Sequence, residues 1–536
     1  MHESTLLSEL IFTSAERSPG RIALSCGGAS LSYEELARRV QAFANAIVEA
    51  GIGRQERVAV YLEKRFETVV ATFGAAAAGC AFVPVNPILK PAQVAYILRD
   101  CNVRLLVTSA ERLASLETEL DGCDDLAHAL VVGTSVPPRT APSLEVQAFD
   151  GALDAPRRAP HRVIDTDVVA ILYTSGSTGR PKGVVLSHRN MVAGAKSVAS
   201  YLENHADDSL LAVLPLSFDA GFSQLTTGFH AGARVVLLNH LLPRDVTKAL
   251  RDERITGLTA VPPLYIQLAQ VDWPVEIRDR LRYFANTGGR MPLETLTRLR
   301  AMLPKSKPFL MYGLTEAFRS TYLPPDQVDR RPDSIGKAIP NAEILVLRED
   351  GTACAPNEPG ELVHRGALVG LGYWNDPQKT AERYKPLPRE SGLTLPEYAV
   401  FSGDTVRADA EGYLYFIGRR DEMIKTSGYR VSPTEIEETL YQTKRVGEAA
   451  AFGVPHPVLG QAIVAIVTPA AEGAADEASL LAACRETLPS FMVPARIVVR
   501  DGPLPRNPNG KIDRKTLSTQ YVEQADGEPA AASAGA

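Results

Sequence analysis

Short apolar runs alternate with amphipathic stretches along most of the chain. Residues 32–51 show the helical form of this pattern, because a Ser-x-x-Glu capping box begins them and a glycine can end them. The apolar positions of this helix recur at helical spacing and are Leu36, Val40, Phe43 and Ile47. Strands are predicted for the short apolar runs 58–62, 168–172, 210–214, 235–238 and 282–286. Strands and helices in alternation predict an α/β fold with parallel sheets.

The pattern changes after a charge-rich turn at residues 418–422. A new helix is predicted to open at Ser432-Pro433-Thr434-Glu435, which is a capping box with a proline in the first turn. We therefore expect a large N-terminal domain of layered α/β sheets over residues 1–420 and a small C-terminal α+β domain over residues 421–520. Residues 521–536 carry too few apolar side chains to form a core and are predicted to be a disordered tail.

The composition is that of an ordinary globular protein. The chain has 536 residues, which is more than one hydrophobic core usually supports, so at least two domains are expected. Its 57 Lys and Arg residues against 63 Asp and Glu residues give a formal net charge of −6. Nucleic acids and anionic membrane surfaces attract basic proteins, so neither is expected as the main partner.

The cysteines and the apolar stretches indicate a soluble, cytoplasmic protein. The 6 cysteines are scattered without a Cys-x-x-Cys pair, which predicts neither a zinc site nor a disulfide framework. The first residues lack the basic region of a signal peptide. The uncharged stretch 69–89 is long enough to span a bilayer, but its prolines, glycines and alanines favour a buried helix that enters a loop. No integral membrane segment is expected.

The strongest chemical signal is the loop Tyr173-Thr-Ser-Gly-Ser-Thr-Gly-Arg-Pro-Lys-Gly183. It follows the predicted strand 168–172, and a helical pattern begins after Ser187. Backbone N–H groups, hydroxyls and a lysine in one loop can surround phosphate oxygens. The spacing excludes a Walker A loop, because Pro181 stands where that motif requires its second glycine. A flexible Ser/Gly linker is the alternative, and the flanking elements favour phosphate binding over it.

The loop resembles the signature of the adenylate-forming superfamily, which includes acyl-CoA synthetases, adenylation domains of peptide synthetases and beetle luciferases. Further matching segments follow in the expected order: Tyr312-Gly313-Leu314-Thr315-Glu316, Ser402-Gly403-Asp404, Gly418-Arg419-Arg420-Asp421, Lys425-Thr426-Ser427-Gly428-Tyr429-Arg430 and Pro508-Asn509-Gly510-Lys511. The resemblance covers residues 10–518. It implies ATP-dependent activation of a small-molecule carboxylic acid to an acyl-adenylate, with release of pyrophosphate, and then transfer to a thiol.

The resemblance assigns the ATP phosphates to the loop. The residues that would hold them are Thr174, Ser175, Gly176, Ser177, Thr178, Gly179 and Lys182. Glu316 would ligate Mg²⁺, for which a hard carboxylate oxygen is suitable. Thr315 would contact the α-phosphate, Tyr312 would lie against the adenine, and Gly313 would belong to the ATP-binding residues.

The later motifs are assigned to the ribose, the hinge and the thiol. By resemblance, Asp404 would accept hydrogen bonds from the ribose hydroxyls, and Arg419 would add a bidentate donor to the ribose or a phosphate. Asp421 would be the hinge about which a mobile C-terminal domain rotates between adenylation and thioester formation. Lys511 would bridge the carboxylate, the α-phosphate and the ribose, and Gly428 would let a pantetheine arm pass closely.

The chain shows no Cys-His pair of its own, so an external thiol is expected to take the acyl group. The implied cofactors are therefore ATP, Mg²⁺ and CoA, or a phosphopantetheinylated acyl carrier protein in place of CoA. The net charge does not decide between these two acceptors.

The resemblance places the acyl pocket at Phe218, Asp219, Ser223, Leu264, Thr287, Gly288 and Arg319. Many fatty and aryl ligases carry a His or an aromatic residue near the first of these positions. This chain has Phe218-Asp219, the pattern of amino-acid adenylation domains, in which the Asp pairs with the substrate ammonium. Arg319 could pair with Asp219 or with an acidic substrate tail, and a purely structural Asp219–Arg319 pair is an equal alternative.

Two readings of the function stay open besides acyl-CoA formation. One is adenylation of an amino acid or polar acid with loading onto a carrier protein, and the other is a luciferase-like oxygenase. A dead nucleotide-binding scaffold is disfavoured because the chain retains Lys182, Glu316, Asp404, Arg419 and Lys511. Residues 313–324 and 334–337 are similar to AMP-forming acyl-CoA ligases associated with the exosortase sorting system.

Overall fold

A computed structural model of the chain describes residues 3–133, 144–174, 181–289, 291, 293–387, 396–419, 423–431, 433–470, 475–505 and 512–527. The chain divides into a large unit, Met1–Thr174 with Lys182–Arg420, and a small unit from Asp421 onward. Among the helices of the described residues, none has both the length and the apolar character needed to cross a membrane.

The large unit contains three sheets and the helices that cover them. Its strands are β1 (Ile22–Cys26), β2 (Ala29–Ser32), β3 (Arg57–Tyr61), β4 (Ala81–Pro84), β5 (Val103–Ser109), β6 (His128–Val132), β7 (Glu145–Ala148), β8 (Val168–Thr174), β9 (Lys182–Ser187), β10 (Ser209–Ala212), β11 (Arg234–Leu237), β12 (Gly257–Ala260), β13 (Tyr283–Asn286), β14 (Lys307–Tyr312), β15 (Thr321–Leu323), β16 (Lys337–Ala338), β17 (Ala342–Leu347), β18 (Gly360–Gly366), β19 (Gly372–Tyr373), β20 (Tyr384–Pro386), β21 (Tyr398–Ala408) and β22 (Leu414–Arg419). Its helices are α1 (Glu9–Arg17), α2 (Tyr33–Glu49), α3 (Phe66–Ala78), α4 (Pro91–Asp100), α5 (Ala110–Ser115), α6 (Phe149–Ala152), α7 (His188–Tyr201), α8 (Asp219–Ala231), α9 (Pro243–Asp252), α10 (Pro262–Leu268), α11 (Val275–Arg280), α12 (Leu293–Met302) and α13 (Pro377–Arg383).

The first sheet has nine strands in the order β16-β15-β14-β13-β12-β10-β11-β1-β2. The strands from β14 to β1 in this order run parallel, and the outer pairs are antiparallel. In open α/β sheets, ligands bind beyond the carboxyl ends of the parallel strands. The segments that follow β10, β12, β13 and β14 leave the sheet at this edge, and they include most of the predicted acyl pocket.

The second sheet has eight strands in the order β19-β9-β8-β4-β3-β5-β6-β7. Strands β8 and β9 are antiparallel, with Thr174 opposite Lys182. The predicted phosphate loop therefore joins two antiparallel strands, and the helix that the sequence predicts after Ser187 begins as α7 once β9 has ended. One large hydrophobic cluster joins both sheets to helices α2, α3, α7 and α8.

The third sheet pairs β17, β18, β21 and β20 in that order, and β22 adds to β21. All of these pairs are antiparallel. Asp404 on β21 lies directly opposite Arg419 on β22. Asp404, predicted to bind the ribose, and Arg419, predicted to bind the ribose or a phosphate, are thus neighbours across a strand pair.

The small unit is an α+β layer with a core of its own. Its elements are β23 (Ile424–Thr426), β24 (Tyr429–Val431), α14 (Pro433–Gln442), β25 (Val446–His456), β26 (Gly460–Pro469), α15 (Glu477–Thr487), β27 (Arg496–Val499) and α16 (Arg514–Gly527). Residues 521–527, which the sequence analysis assigned to the tail, belong to α16 in the structure. Tyr521 explains the difference, because its ring packs edge-on against Phe452 with 6.2 Å between centroids.

The predicted α/β class is confirmed, as are the helix in residues 32–51 and the five predicted strands, which appear as α2, β3, β8, β10, β11 and β13. Ser32 caps α2 by accepting a hydrogen bond from the Glu35 N–H at 3.1 Å. The stretch 69–89 is a buried helix as expected, but it leads through Gly79 into strand β4 before any loop.

Candidate active site

A carboxylate and a tyrosine meet beyond the end of β14. Glu316 lies in a single 3-10 turn, Thr315–Ala317, that follows this strand. The Tyr373 hydroxyl donates a hydrogen bond of 2.7 Å to Glu316 Oε1. Glu316 Oε2 is shielded from solvent and has no hydrogen-bond partner among the described residues. A buried carboxylate oxygen without a partner is costly unless a cation or a donor occupies the place beside it.

Lys182 joins this group from the first position of β9. Its Nζ lies 5.5 Å from the centre of the Tyr373 ring. Burial lowers the pKa of Lys182, and the nearby charges of Lys379 and Arg383 lower it further, whereas Glu316 opposes this shift. Burial and the Glu316 charge raise the pKa of Tyr373, so this hydroxyl keeps its proton and remains a donor. The group thus offers one anion at the Tyr373 hydroxyl and one cation near the Tyr373 ring.

The residues present fit Mg²⁺ held jointly with phosphates. The described residues contain no cluster of three or more His, Cys, Asp or Glu side chains that could hold a metal alone. Mg²⁺ at nucleotide sites commonly uses only one or two carboxylates together with phosphate oxygens and water. The unpartnered Oε2 makes Glu316 a suitable carboxylate for that arrangement.

The predicted adenine and ribose residues are also in contact. Tyr312 ends β14, and its hydroxyl donates a hydrogen bond of 2.5 Å to Oδ2 of Asp404. Asp404 is fully buried, and its N–H donates to Ser402 Oγ at 3.0 Å. The Tyr312 ring lies 6.3 Å from the ring of Phe416 on the neighbouring sheet. The motif residues 312 and 404, far apart in the sequence, therefore form one corner of the site.

Asp219 and Arg319 form the ion pair that the sequence left open. Arg319 Nη1 donates to Asp219 Oδ2 at 2.9 Å, and the Thr315 hydroxyl donates to Oδ1 at 3.3 Å. The Arg319 side chain is only 3% exposed. Its Nε has no hydrogen-bond partner in the part of the chain that the structure describes. Asp219 is the first residue of α8, where the helix N-terminus favours a negative charge.

A strained turn directs Arg319 to this place. Phe318 has φ 55° and ψ −42°, and the Arg319 N–H donates to the Ala317 carbonyl at 2.6 Å. These are the features of a γ-turn with positive φ, a rare and strained conformation for a residue with a side chain. The Phe318 ring is fully buried, and it packs where a side chain at Gly194 of α7 would otherwise lie. The Gly194–Phe318 contact thus holds the residue that precedes Arg319.

The other predicted pocket residues lie at different depths. Ser223 and Arg319 line a small cavity between α7, α8 and the first sheet. Leu264 belongs to a hydrophobic core cluster, and Thr287 is buried with its N–H donating to the Ala260 carbonyl at 3.1 Å. Gly288 is exposed with φ 76°. Phe218 is half-buried and directly precedes α8.

Several predicted site residues lie outside the described residues: Ser175, Gly176, Ser177, Thr178, Gly179, Asp421 and Lys511. For Arg419 the backbone is described and the side chain is not. Thr174 and Gly313 are described, and Gly313 leaves room beside the Arg319 backbone that a side chain would crowd. In the small unit, Gly428 and Ser427 form the turn between β23 and β24 with φ 82° and 52°. Such a two-residue turn needs positive φ, which is a local reason for Gly428.

Tyr373 is a site residue that the sequence analysis missed. It lies on β19, which is only two residues long and pairs with β9 through Val184. The Gly372-Tyr373-Trp374 segment was the available signal in the sequence. In the structure Gly372 has φ 124°, and the Trp374 N–H donates to the Gly183 carbonyl at 2.7 Å. Tyr384 packs edge-on against Tyr373, with 5.8 Å between centroids.

Known protein families, sequences and structures match this chain over most of its length. Residues 11–374 match the family described as AMP-binding enzyme, and residues 435–511 match the AMP-binding enzyme C-terminal domain. The indoleacetate–CoA ligase of Aromatoleum aromaticum is 30% identical over 520 residues, which are 96% of this chain and 98% of that protein. Tyrocidine synthase 3 of Brevibacillus parabrevis is 31% identical over 96% of this chain, but the chain spans only 8% of it. The amide bond synthetase McbA of Marinactinospora thermotolerans has a similar structure, with TM-score 0.82, 25% identity, and coverage of 96% of this chain and 99% of that one.

Proposed function

The chain belongs to the AMP-binding enzyme family, whose members are adenylate-forming, and we propose that it activates a carboxylic acid with ATP and passes the acyl group to a thiol. In the first step a carboxylate oxygen attacks the α-phosphorus, and the bond to pyrophosphate breaks. In the second step the sulfur of a thiolate attacks the acyl carbon, and AMP leaves. Neither step needs an oxidant or a covalent enzyme intermediate.

One observation supports this proposal: four of the described motif residues, Glu316, Lys182, Tyr312 and Asp404, each contact another site residue around the carboxyl end of β14. Glu316 with its unpartnered Oε2 lies in the turn after β14, Lys182 lies on β9 beside Tyr373 of β19, and Tyr312 at the end of β14 contacts Asp404 of β21. A surface turn or a scattered set of solvated charges, the alternatives for each motif alone, would not produce buried contacts between them. Polar and charged groups that the fold holds in place can stabilise the charge that develops in the transition state.

We propose the following roles for these residues. Lys182 and Thr174 would bind the terminal phosphates with the loop between them, and Thr315 would contact the α-phosphate. Glu316 would hold Mg²⁺, which neutralises charge on the departing pyrophosphate. Tyr312 and Asp404 would hold the adenosine, with Arg419 opposite Asp404.

The remaining roles concern the small unit and the acceptor. We propose Asp421 as the hinge, Lys511 as the lysine of the adenylation step and Gly428 as a residue of the thiol passage. CoA is the proposed acceptor. A carrier protein is the second candidate, because the matched relatives include a peptide synthase of which this chain covers one short part. The narrower similarity to ligases associated with the exosortase system stays a prediction.

The test is exchange of labelled pyrophosphate into ATP that depends on an added carboxylic acid, measured without CoA. Exchange with one class of acid, abolished in Glu316→Gln, is the expected result. CoA and a phosphopantetheinylated carrier protein are then supplied separately, and the thioester is identified by mass. Absence of exchange together with absence of ATP binding would contradict the proposal.

A further inference from the structure

The ion pair at the predicted acyl pocket indicates which class of substrate the pocket accepts. This inference rests on the function proposed above. We propose that the Asp219–Arg319 pair makes the pocket specific for carboxylic acids whose chain is uncharged and carries an oxygen acceptor, a hydroxyl or a carbonyl. Arg319 is then a specificity-determining residue. It balances the Asp219 charge from within the protein and presents a remaining N–H to the substrate.

The first step of the argument is the charge. Asp219 receives a guanidinium N–H at 2.9 Å and a threonine hydroxyl at 3.3 Å, so each of its oxygens already has a donor. A substrate ammonium would approach the carboxylate against the charge of a guanidinium that is 3% exposed. Asp219 already neutralises the charge of Arg319. A second carboxylate on the substrate would therefore enter the pocket without a positive partner. Uncompensated charges are expensive in buried sites, so both classes are excluded.

The second step is the set of unpaired donors. Nε of Arg319 is buried and lacks a partner among the described residues, and the same holds for the Thr227 hydroxyl. Both residues line one small cavity, and Ser223, Thr259, Tyr283 and Met311 are further parts of its wall. Buried donors without partners favour a ligand that supplies an acceptor. A plain hydrocarbon tail would leave both groups unsatisfied.

The third step is the rigidity of the donor. The γ-turn at Phe318 and the packing of its ring beside Gly194 leave Arg319 little freedom to turn away from the pocket. Sites that hydrogen-bond a substrate oxygen discriminate strongly against the analogue that lacks it, provided that the donor cannot relax. The strain at residue 318 is therefore consistent with a role in selecting the substrate.

The experiment is acid-dependent pyrophosphate exchange with a matched panel at chain lengths of three to six carbons. At each length the panel contains the parent acid and its hydroxy, oxo, amino and carboxy analogues. For the wild-type enzyme we expect the hydroxy or oxo analogue at one length to exceed the parent acid by about ten- to hundredfold in kcat/KM, the range of one hydrogen bond to a charged group. Amino and carboxy analogues should give no exchange.

Variants separate specificity from structure. Arg319→Leu should gain exchange with amino analogues, because Asp219 is then a free anion, and Asp219→Asn should gain exchange with carboxy analogues. Arg319→Lys keeps the charge without the Nε donor, so it should still reject amino analogues while losing the hydroxy or oxo preference. A merely structural pair predicts a uniform decline with all acids instead, and that result would overturn the proposal.

The outcomes also distinguish a failure of the proposed specificity from a failure of the proposed acid activation. Wild-type exchange with amino or carboxy analogues, or equal exchange with parent and oxygenated acids, would overturn the specificity and leave acid activation intact. Silence of the wild-type enzyme with the whole panel would overturn the specificity, and together with absence of ATP binding it would also contradict the general proposal. Thermal melts of each variant accompany the kinetics, and the gain of a new substrate class shows that a variant is folded.

Discussion

The Tyr373 hydroxyl donates a hydrogen bond of 2.7 Å to Oε1 of Glu316, while Oε2 of the same carboxylate is buried and has no partner in the described part of the chain. The tyrosine thus holds one oxygen and leaves the other for a ligand. Hydrogen-bond partners behind a metal-binding side chain typically contribute ten- to hundredfold in metal affinity or activity. This relationship makes Tyr373 a positioning residue for the carboxylate predicted to bind Mg²⁺.

We therefore expect Tyr373→Phe to lower pyrophosphate exchange by about tenfold and to raise the Mg²⁺ concentration needed for half-maximal rate. Tyr384→Phe is the matched control, because this neighbouring hydroxyl is buried and has no described hydrogen-bond partner. It should change neither quantity by more than about twofold, given the small cost of removing an unpaired hydroxyl. Equal effects of the two substitutions would show that packing, not the hydrogen bond, matters at Tyr373.

A second prediction concerns pH. Burial and the Lys379 charge lower the pKa of Lys182, so its ammonium is lost at lower pH than that of an exposed lysine. The charged form is the one that attracts phosphate. The kcat/KM for ATP should thus fall on the alkaline side as Lys182 loses its proton. Removing a nearby positive charge in Lys379→Gln favours the protonated form, so this alkaline fall should move to higher pH.

Lys385→Gln is the control for that shift, since Lys385 lies 5.0 Å from the Phe401 ring and is not among the charges that act on Lys182. Its pH profile should match the wild-type profile. The assignment fails if Lys182→Arg, which stays charged at high pH, shows the same alkaline fall as the wild-type enzyme.

A third prediction uses the close contact of Gly194 with Phe318. A methyl group at residue 194 would meet the Phe318 ring, which is fully buried, so Gly194→Ala must displace the ring or the helix. Overpacking of this kind costs about 1–3 kcal/mol of unfolding free energy. We also expect lower exchange activity, because Arg319 directly follows the displaced residue. Urea unfolding and acid-dependent exchange measure the two effects.

Gly151→Ala provides the comparison for a glycine in a helix without a close neighbour, as nothing lies within 4 Å of a methyl group there. It should stabilise the chain by about 0.5–1 kcal/mol, the usual gain of alanine over glycine in a helix. If both variants lose a similar amount of unfolding free energy, the contact with Phe318 is not the cause of the loss in Gly194→Ala.

Local patterns were sufficient for five of the strands and for the capped helix α2. Each predicted strand was a continuous apolar run because helices cover both faces of such a sheet, and the capping box at Ser32 placed α2 within two residues. Strand β9 was missed because its apolar core, residues 184–186, is short and follows the Gly-rich loop without a turn signal of its own. Strand β19 has two residues, which no periodicity can reveal.

The site was predicted to different extents. The resemblance supplied Glu316, Lys182, Tyr312 and Asp404, and the structure brings each into contact with another site residue. The choice between a structural pair and a substrate contact for Asp219 could not be made from sequence, because Arg319 is 100 residues away and only the fold determines their distance. The side chain of Tyr373 likewise reaches Glu316 across 57 residues.

The end of the chain supplies the last prediction. The ring of Tyr521 lies 6.2 Å from that of Phe452 at 67°, and it packs against a small hydrophobic cluster that includes Leu504 and Leu517. A chain that ends at Gln520 loses this ring, so the small unit should lose about 0.5–1.5 kcal/mol from the aromatic pair, and more from burial. A chain that ends at Gly527 keeps it and should be as stable as the full chain.

Hydrogen exchange of the amides in β25 and β26 measures the small unit directly. Tyr521→Phe preserves the ring and should leave this exchange unchanged, whereas Tyr521→Ala should accelerate it as much as the shorter truncation does. Equal protection in the two truncated chains would show instead that residues 521–527 contribute nothing to the fold.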